Sequence, residues 1–273
     1  MGMSPRKKLS IATWSTPTEG NIYGKLVIDP QPAMDYIAEK REKTGIRVTM
    51  THVVGAAIGR GIAKAPGLNG RLLWNYFIPH KTMDLAFLAS VEGGKNLAKV
   101  KVCNVDEKPP TTIATELNER VEKLRKGEDE DFKKSMGPIK MLPIWIVKPI
   151  VWLTGWLTAS LGIGAKAFGL EKFPFGSAII TSVAMFGLDT AWAPMVPYAR
   201  VPVVALLGAV KDAAGVVNGA VVPVKELTLT ATFDHRFMDG AQGAIVAGAL
   251  RRYMADPYLL DKPMSQEEPE EKK

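Results

Sequence analysis

A single cysteine, Cys103, stands among the 273 residues, so no internal disulfide framework can staple this chain. Its neighbours Lys101, Val102 and Asn104 give it the setting of an ordinary strand residue, and no catalytic role falls to it. No stretch rich in proline, serine and glycine divides the sequence, which points to one domain over residues 1–262. The amino end, Met1 to Ser10, is polar and basic with no apolar segment behind it. A secretory signal is therefore not expected, and the cytoplasm is the expected compartment. Basic residues are scattered without interleaved aromatics, so the formal charge of +7 reads as a solvated surface with some attraction for anionic ligands or lipids. A nucleic-acid face is not expected, and neither is a metal site.

What the sequence does have is core material, at 47% hydrophobic residues. Ile22 to Asp29 reads as a strand and Pro32 to Thr44 as a helix closed by Gly45. His52 opens a second apolar helix that runs to Ala65, where a capping or surface histidine is the usual finding. Leu72 to Ile78 and Thr82 to Val91 read as two strands joined at Pro79-His80-Lys81, which leaves His80 exposed in a turn. Thr111 to about Lys126 carries Ile113, Leu117, Val121 and Leu124 at helical spacing, and a charged face continues it to Lys134. Further strands are expected over Ser177 to Val183, Val201 to Val210, Val221 to Val224 and Leu227 to Phe233. A long loop runs from Gly187 to Ala199, and Asn218-Gly219 marks a hairpin. Residues 263–273 form a charged tail of disordered composition.

Met141 to Leu170 is almost wholly apolar, with Trp145, Trp152 and Trp156, and only Lys148 and Lys166 charged. Roughly thirty residues suffice for a helical hairpin. Three readings stay open: packing on a neighbouring subunit, attachment to a membrane surface through the three tryptophans, and a membrane span from Pro149 to Ala165 at the lower edge of the necessary length. A span would have to leave and rejoin one compact domain.

The stretch Thr230-Ala231-Thr232-Phe233-Asp234-His235-Arg236-Phe237-Met238-Asp239-Gly240-Ala241 organises the rest. It begins as an alternating strand, passes through a polar turn and enters a Gly/Ala-rich helix from Gly240 to Met254. A histidine at such a junction can be fixed by the backbone while its imidazole, which titrates near neutrality, takes a proton from a thiol or hydroxyl. A lone histidine near an aspartate is more often a satisfied polar pair capping an element.

The surrounding letters shift that balance. Asp234-His235-Arg236 with Asp239-Gly240-Ala241, a following helix and Pro257 resembles the carboxy-terminal signature of the acyltransferases of 2-oxoacid dehydrogenase complexes, a family in the chloramphenicol acetyltransferase-like superfamily. Phe175 to Gly187 resembles the family's Gly-x-Phe-Thr-Ile-Ser-Asn-Leu-Gly-x-x-Gly strand and turn, and Pro202 to Gly208 is similar to its next strand. Arg6-Lys7-Lys8-Leu9 is similar to the basic opening of its catalytic domain, and Val48 to Pro66 to its first long helix. The segment Glu92 to Val102 departs from the family pattern along the path of the lipoyl arm, and the apolar run 141–170 has the look of an insertion.

The resemblance implies an α+β fold with a mixed β-sheet flanked by helices, assembled as a homotrimer or a multiple of trimers. It implies His235 as general base toward coenzyme A or a dihydrolipoyl thiol, and a hydroxyl at Thr181, with Ser182 adjacent, as oxyanion donor from a neighbouring chain. Asp239 would be structural, paired with Arg6 or Arg236. The sequence shows no lipoyl domain with a modifiable lysine, so a lipoyl group is expected on a separate protein. Two other readings remain: a catalytically weak or inactive scaffold of the same fold, held to a membrane or partner through residues 141–170, and a small-molecule O-acetyltransferase.

Overall fold

The computed structural model describes residues 20–91, 96–126, 142–165, 167 and 169–267. Six strands form one mixed sheet: β1 (Asn21–Ile28), β4 (Leu85–Val91), β5 (Asn96–Val102), β6 (Ala178–Ser182), β7 (Val203–Val217) and β8 (Ala220–Asp234), in the spatial order β1-β8-β7-β6-β4-β5. β6 runs parallel to both β4 and β7, and the other pairings are antiparallel. A separate hairpin joins β2 (Gly70–Leu73) to β3 (Tyr76–Pro79). The helices are α1 (Gln31–Thr44), α2 (Met50–Ala63), α3 (Pro110–Lys126), α4 (Ile144–Gly155) and α5 (Gly240–Ala255). This is the mixed, helix-flanked α+β architecture expected from the sequence.

α2 lies against one sheet face and is buried along most of its length, because small residues let its backbone come close on two sides. Gly55 faces Phe87 and Ile180 of the sheet, where a Cβ would sit 2.6 Å from the Phe87 ring, and Gly61 faces Val246 and Ala249 of α5. His52 caps this helix, its Nδ1 accepting from the Thr49 backbone N–H at 3.0 Å. Burial, then Arg41 and Arg47, push the His52 pKa down to about 4. The opposite sheet face carries a smaller apolar cluster of Ala86, Phe175, Ile179, Ala199, Val201 and Val204. Thr230 and Thr232 on β8 donate to the carbonyls of Ala191 and Ala193, which lashes the loop after residue 187 across that face. Tyr198 of the same loop packs on this cluster and also meets Val147 and Val151 of α4, so α4 rests outside the loop layer.

Several expectations need correction. The run 72–78 is a hairpin rather than one strand, because Trp74 and Asn75 both take positive φ, 52° and 64°, and reverse the chain. His80 is half-buried against Phe173, with ring centroids 4.8 Å apart, and desolvation, then Arg71, lowers its pKa to about 4. The two short strands expected over residues 221–233 are one strand. Pro223 is tolerated in it because β1 pairs with β8 only from Leu227 onward, which leaves one edge of residues 220–226 without a strand partner among the described residues. Asn218 and Gly219 form the expected hairpin turn, with φ of 51° and 81°. The apolar run makes one helix, α4, continued by a wider π turn over Trp156–Leu161 and stopped at Gly162 (φ 68°); no second helix folds back on it among the described residues.

Residues 263–267, placed by composition in a disordered tail, instead form a short turn that ends on a buried ion pair. Glu267 binds Arg60, whose side chain is fully buried and also donates to the carbonyls of Leu259, Leu260 and Lys262. The charged continuation to Lys134, the Gly93-Gly94 segment, Arg6, Lys166 and residues 268–273 lie outside the described residues.

Candidate functional site

β8 leaves the sheet at Asp234, and the next residues form a tight turn closed by the Phe237 N–H donating to the Asp234 carbonyl at 3.0 Å. Asp234 is nearly buried, and its carboxylate reads this turn from inside. It accepts from the Arg236 backbone N–H at 2.9 Å, from Nε at 3.0 Å and from Nη2 at 2.6 Å. Such a bidentate, charge-assisted pair fixes geometry as well as adding energy. His235 lies between these two residues, its N–H donating to the Gly20 carbonyl at 3.3 Å and its side chain exposed. Phe237 and Met238 then turn inward and are buried, Phe237 edge-on to Phe77 with ring centroids 6.2 Å apart. The imidazole is thus held out to solvent from a turn pinned on both sides.

Asp239 caps α5. Its carboxylate accepts from the Gln242 N–H at 3.1 Å, while the Gln242 side chain accepts from the Asp239 N–H at 3.1 Å. This reciprocal box satisfies two of the donors that a helix start leaves open. Arg236, expected to pair with Asp239, binds Asp234 instead; the shorter loop to residue 234 and the buried position of its carboxylate favour that partner. The second candidate partner, Arg6, lies outside the described residues.

Thr181 and Ser182 end β6 and are half-buried. The Ser182 hydroxyl oxygen accepts from the Ala184 N–H at 3.3 Å, which leaves its own hydrogen to donate elsewhere. Within one chain these residues are remote from His235. Thr181 stands opposite Leu206, and Leu206 opposite Thr230. From Thr230, β8 runs away from the Ser182 end of the sheet toward His235, so strand spacing puts His235 and Thr181 roughly 20 Å apart. The structure therefore brings His235 together with Asp239, and separates both from Thr181 and Ser182. An open cleft of about 660 Å³ lies elsewhere, between the end of β1 and the β7–β8 ribbon, and none of the four candidates lines it.

Sequence reasoning missed Asp234 as the anchor of the histidine turn, because it looked for a partner of Asp239. The spacing Asp239-x-x-Gln242 is itself a readable helix-start signal. Asp234-x-Arg236 has no comparable signature.

Comparison with known proteins bears out the family resemblance. Residues 165–261 match the model of the 2-oxoacid dehydrogenases acyltransferase (catalytic domain). Over 106 residues the chain is 32% identical to a probable dihydrolipoyllysine-residue succinyltransferase component of the 2-oxoglutarate dehydrogenase complex from Schizosaccharomyces pombe, a match covering 37% of this chain and 23% of that protein. The chain thus spans about a quarter of that relative's length. Among solved structures, the cubic core of a pyruvate dehydrogenase multienzyme complex superposes with a TM-score of 0.65 at 16% identity, covering 93% of this chain and 88% of that one. The dihydrolipoamide acetyltransferase of Azotobacter vinelandii gives a TM-score of 0.64 at 17% identity, over 89% and 84% of the two chains. A chloramphenicol acetyltransferase gives 0.50 at 9% identity, over 93% and 96%. These likenesses fix the fold as chloramphenicol acetyltransferase-like.

Proposed function

We propose that this chain, whose residues 165–261 match the catalytic domain of the 2-oxoacid dehydrogenase acyltransferases, moves an acyl group between coenzyme A and a thiol such as dihydrolipoamide carried on a separate protein. The observation that carries the proposal is His235: an imidazole exposed at a turn made rigid by the buried Asp234 carboxylate. A base so placed can take the proton of an incoming thiol without rearranging its support. The thiolate attacks the thioester carbonyl of the second substrate, giving a tetrahedral oxyanion. Collapse of that intermediate expels the other sulfur, which takes back the proton from the imidazolium. No acyl-enzyme is required.

The oxyanion needs a donor, and Thr181 is assigned that part, with Ser182 adjacent. Because these residues are remote from His235 within one chain, this reading takes the donor from a second copy, in a trimer or a multiple of trimers with its site between subunits. In the Azotobacter vinelandii enzyme a serine, a histidine and an asparagine four residues after that histidine have been investigated for their role in catalysis. Here the corresponding place holds Asp239, which acts as a positioning residue through its cap on α5. The cytoplasmic compartment expected from the sequence goes with this reading.

The test incubates purified protein with acetyl-coenzyme A and free dihydrolipoamide. Acetyl transfer that falls to background in His235→Ala supports the reading; turnover unaffected by that change overturns it. Failure of the wild type with acetyl, succinyl and branched acyl donors alike, alongside stable oligomers, would favour the inactive scaffold, for which the apolar face of α4 is the specific observation.

A further inference from the structure

The outer face of α4 is an apolar surface with a chemical signature of its own. Trp145 and Trp152 are 73% and 63% exposed, Leu153 and Ile150 nearly half exposed. Steps of seven and four residues put Trp145, Trp152 and Trp156 in one stripe along the helix. Trp74, 73% exposed at the tip of the β2–β3 hairpin, stands edge-on to Trp156 with centroids 6.2 Å apart and widens the stripe to a second element.

Charge around the stripe has one sign. No aspartate or glutamate occurs from Met141 to Leu170. Lys148 is exposed between Trp145 and Trp152, and the Arg200 guanidinium lies 6.0 Å over the Trp152 ring. Arg71 borders the far end, donating from Nε to the Ser160 carbonyl at 2.8 Å. The inner face of α4 is committed: Val147 and Val151 pack with Tyr198, and Gly155 lies against the Tyr198 backbone so closely that a Cβ would meet its carbonyl oxygen at 2.6 Å. Though Ile144–Leu161 is long and apolar enough to cross a bilayer, one side of it is packed against the Tyr198 loop of its own domain, an arrangement that suits a helix lying along a surface.

We propose that this face seats on the surface of an anionic lipid bilayer, with the tryptophans in the headgroup layer and the exposed Lys148 among the phosphates, while Arg71 and Arg200, both bonded to Ser160, add positive potential behind it. Indoles favour that layer because they are apolar with one polar edge, and lysine stems reach through it to the charged plane. A second copy fits less well. A twofold contact centred on the stripe would bring Lys148 close to its own copy, with no acid in residues 141–170 to neutralise the pair. The proposal stands apart from acyl transfer and does not depend on it.

The test sediments the full chain with vesicles of phosphatidylcholine alone and of phosphatidylcholine with phosphatidylglycerol, while light scattering follows particle mass. Binding to the anionic vesicles, a blue shift of tryptophan emission on binding, and loss of both at high salt are expected. Trp145→Ser with Trp152→Ser should weaken binding tenfold or more at unchanged mass, since both rings are on the solvent side. Lys148→Gln, which removes no apolar surface, should weaken binding to anionic vesicles by about fivefold, the order of one surface charge. No binding by the wild type overturns the proposal. So does a fall in particle mass in the tryptophan variant with vesicle binding intact, which would make the face a protein contact.

Discussion

If His235 and Thr181 act on one substrate, they must come from different chains, and two inactive variants should then repair each other. Five residues of β8 separate Thr230 from His235, or about 17 Å of strand, and two strand spacings separate Thr181 from Thr230, or about 10 Å. A thioester carbonyl needs its attacking thiol and its oxyanion donor each within about 3 Å, so no side-chain rotation closes a gap of roughly 20 Å. His235→Ala alone should reduce turnover to background. Thr181→Ala alone should lower it by about 10²–10³, the value of one oxyanion donor. Coexpressed under separate affinity tags and purified through both, the two variants form mixed oligomers. In a trimer that carries both variants one boundary of three joins an intact histidine to an intact threonine, and in a large randomly mixed assembly the share is about a quarter. Activity should therefore return to between about a quarter and a third of wild type. Mixed particles verified by native mass spectrometry that show no more activity than the two variants separately would refute the shared site.

Three other outcomes follow from the described contacts. Asp234→Asn keeps the acceptor for the Arg236 backbone N–H but turns an amide donor toward the guanidinium. With Arg236 half exposed, the stability loss should be about 1–2 kcal/mol by urea unfolding, and turnover should drop by more than that loss explains; an unchanged kcat would show that the turn needs no such anchor. His52 is held neutral by burial, so as pH falls from 6.5 the unfolded chain gains a proton that the folded chain refuses until about pH 4. Stability present at pH 7 should fall by about 2–3 kcal/mol over that window, and His52→Gln should flatten the slope; equal slopes in both proteins would contradict the burial argument. Arg60→Met leaves Glu267 with Tyr253, Lys64 and Arg252 but frees the carbonyls of Leu259, Leu260 and Lys262, which should cost about 2–3 kcal/mol and lower Tm by roughly 5–10 °C in calorimetry, whereas an unaltered Tm would mean that segment adds nothing to stability.

Much of the fold could be read locally. Gly45 after Thr44 and Asn218-Gly219 between two apolar runs carry their backbone geometry in their identity, and both elements end where those residues stand. The site was half legible for the same reason. Strand, turn and helix around His235 follow one another in sequence, so their order alone puts His235 and Asp239 together. What escaped depends on contacts distant in sequence or on choices among equal partners. Asn75 is a common turn residue, but Trp74 before it at positive φ is not, and no glycine follows, so residues 72–78 carry only half of a hairpin signal. Asp234 is bound by a residue two positions away, yet its hold on the turn rests on burial that the sequence does not display. Glu267 reads as one more charge in an acidic tail until α2 brings Arg60 beneath it.

The two ends of the sheet also differ in how complete they are, and that difference supports an assembly. At the His235 end Phe237 and Met238 fold inward, Asp239 closes the helix start, and the residues of the turn that face water are the polar His235, Arg236 and Asp239. At the Ser182 end, by contrast, Met185, Phe186 and Leu188 follow the strand directly and are 64%, 57% and 49% exposed, an apolar cluster beside the hydroxyls assigned to catalysis. Beyond the same end, the β7–β8 ribbon continues past the sheet with Val216 and Val221 exposed by about three quarters. Under the proposed shared site, the end that bears the base and the apolar end that bears the donors would meet across a subunit boundary. Joined head to tail around a closed ring, they would bury the exposed cluster, exclude water from the thioester and bring His235 to Thr181 in the same contact.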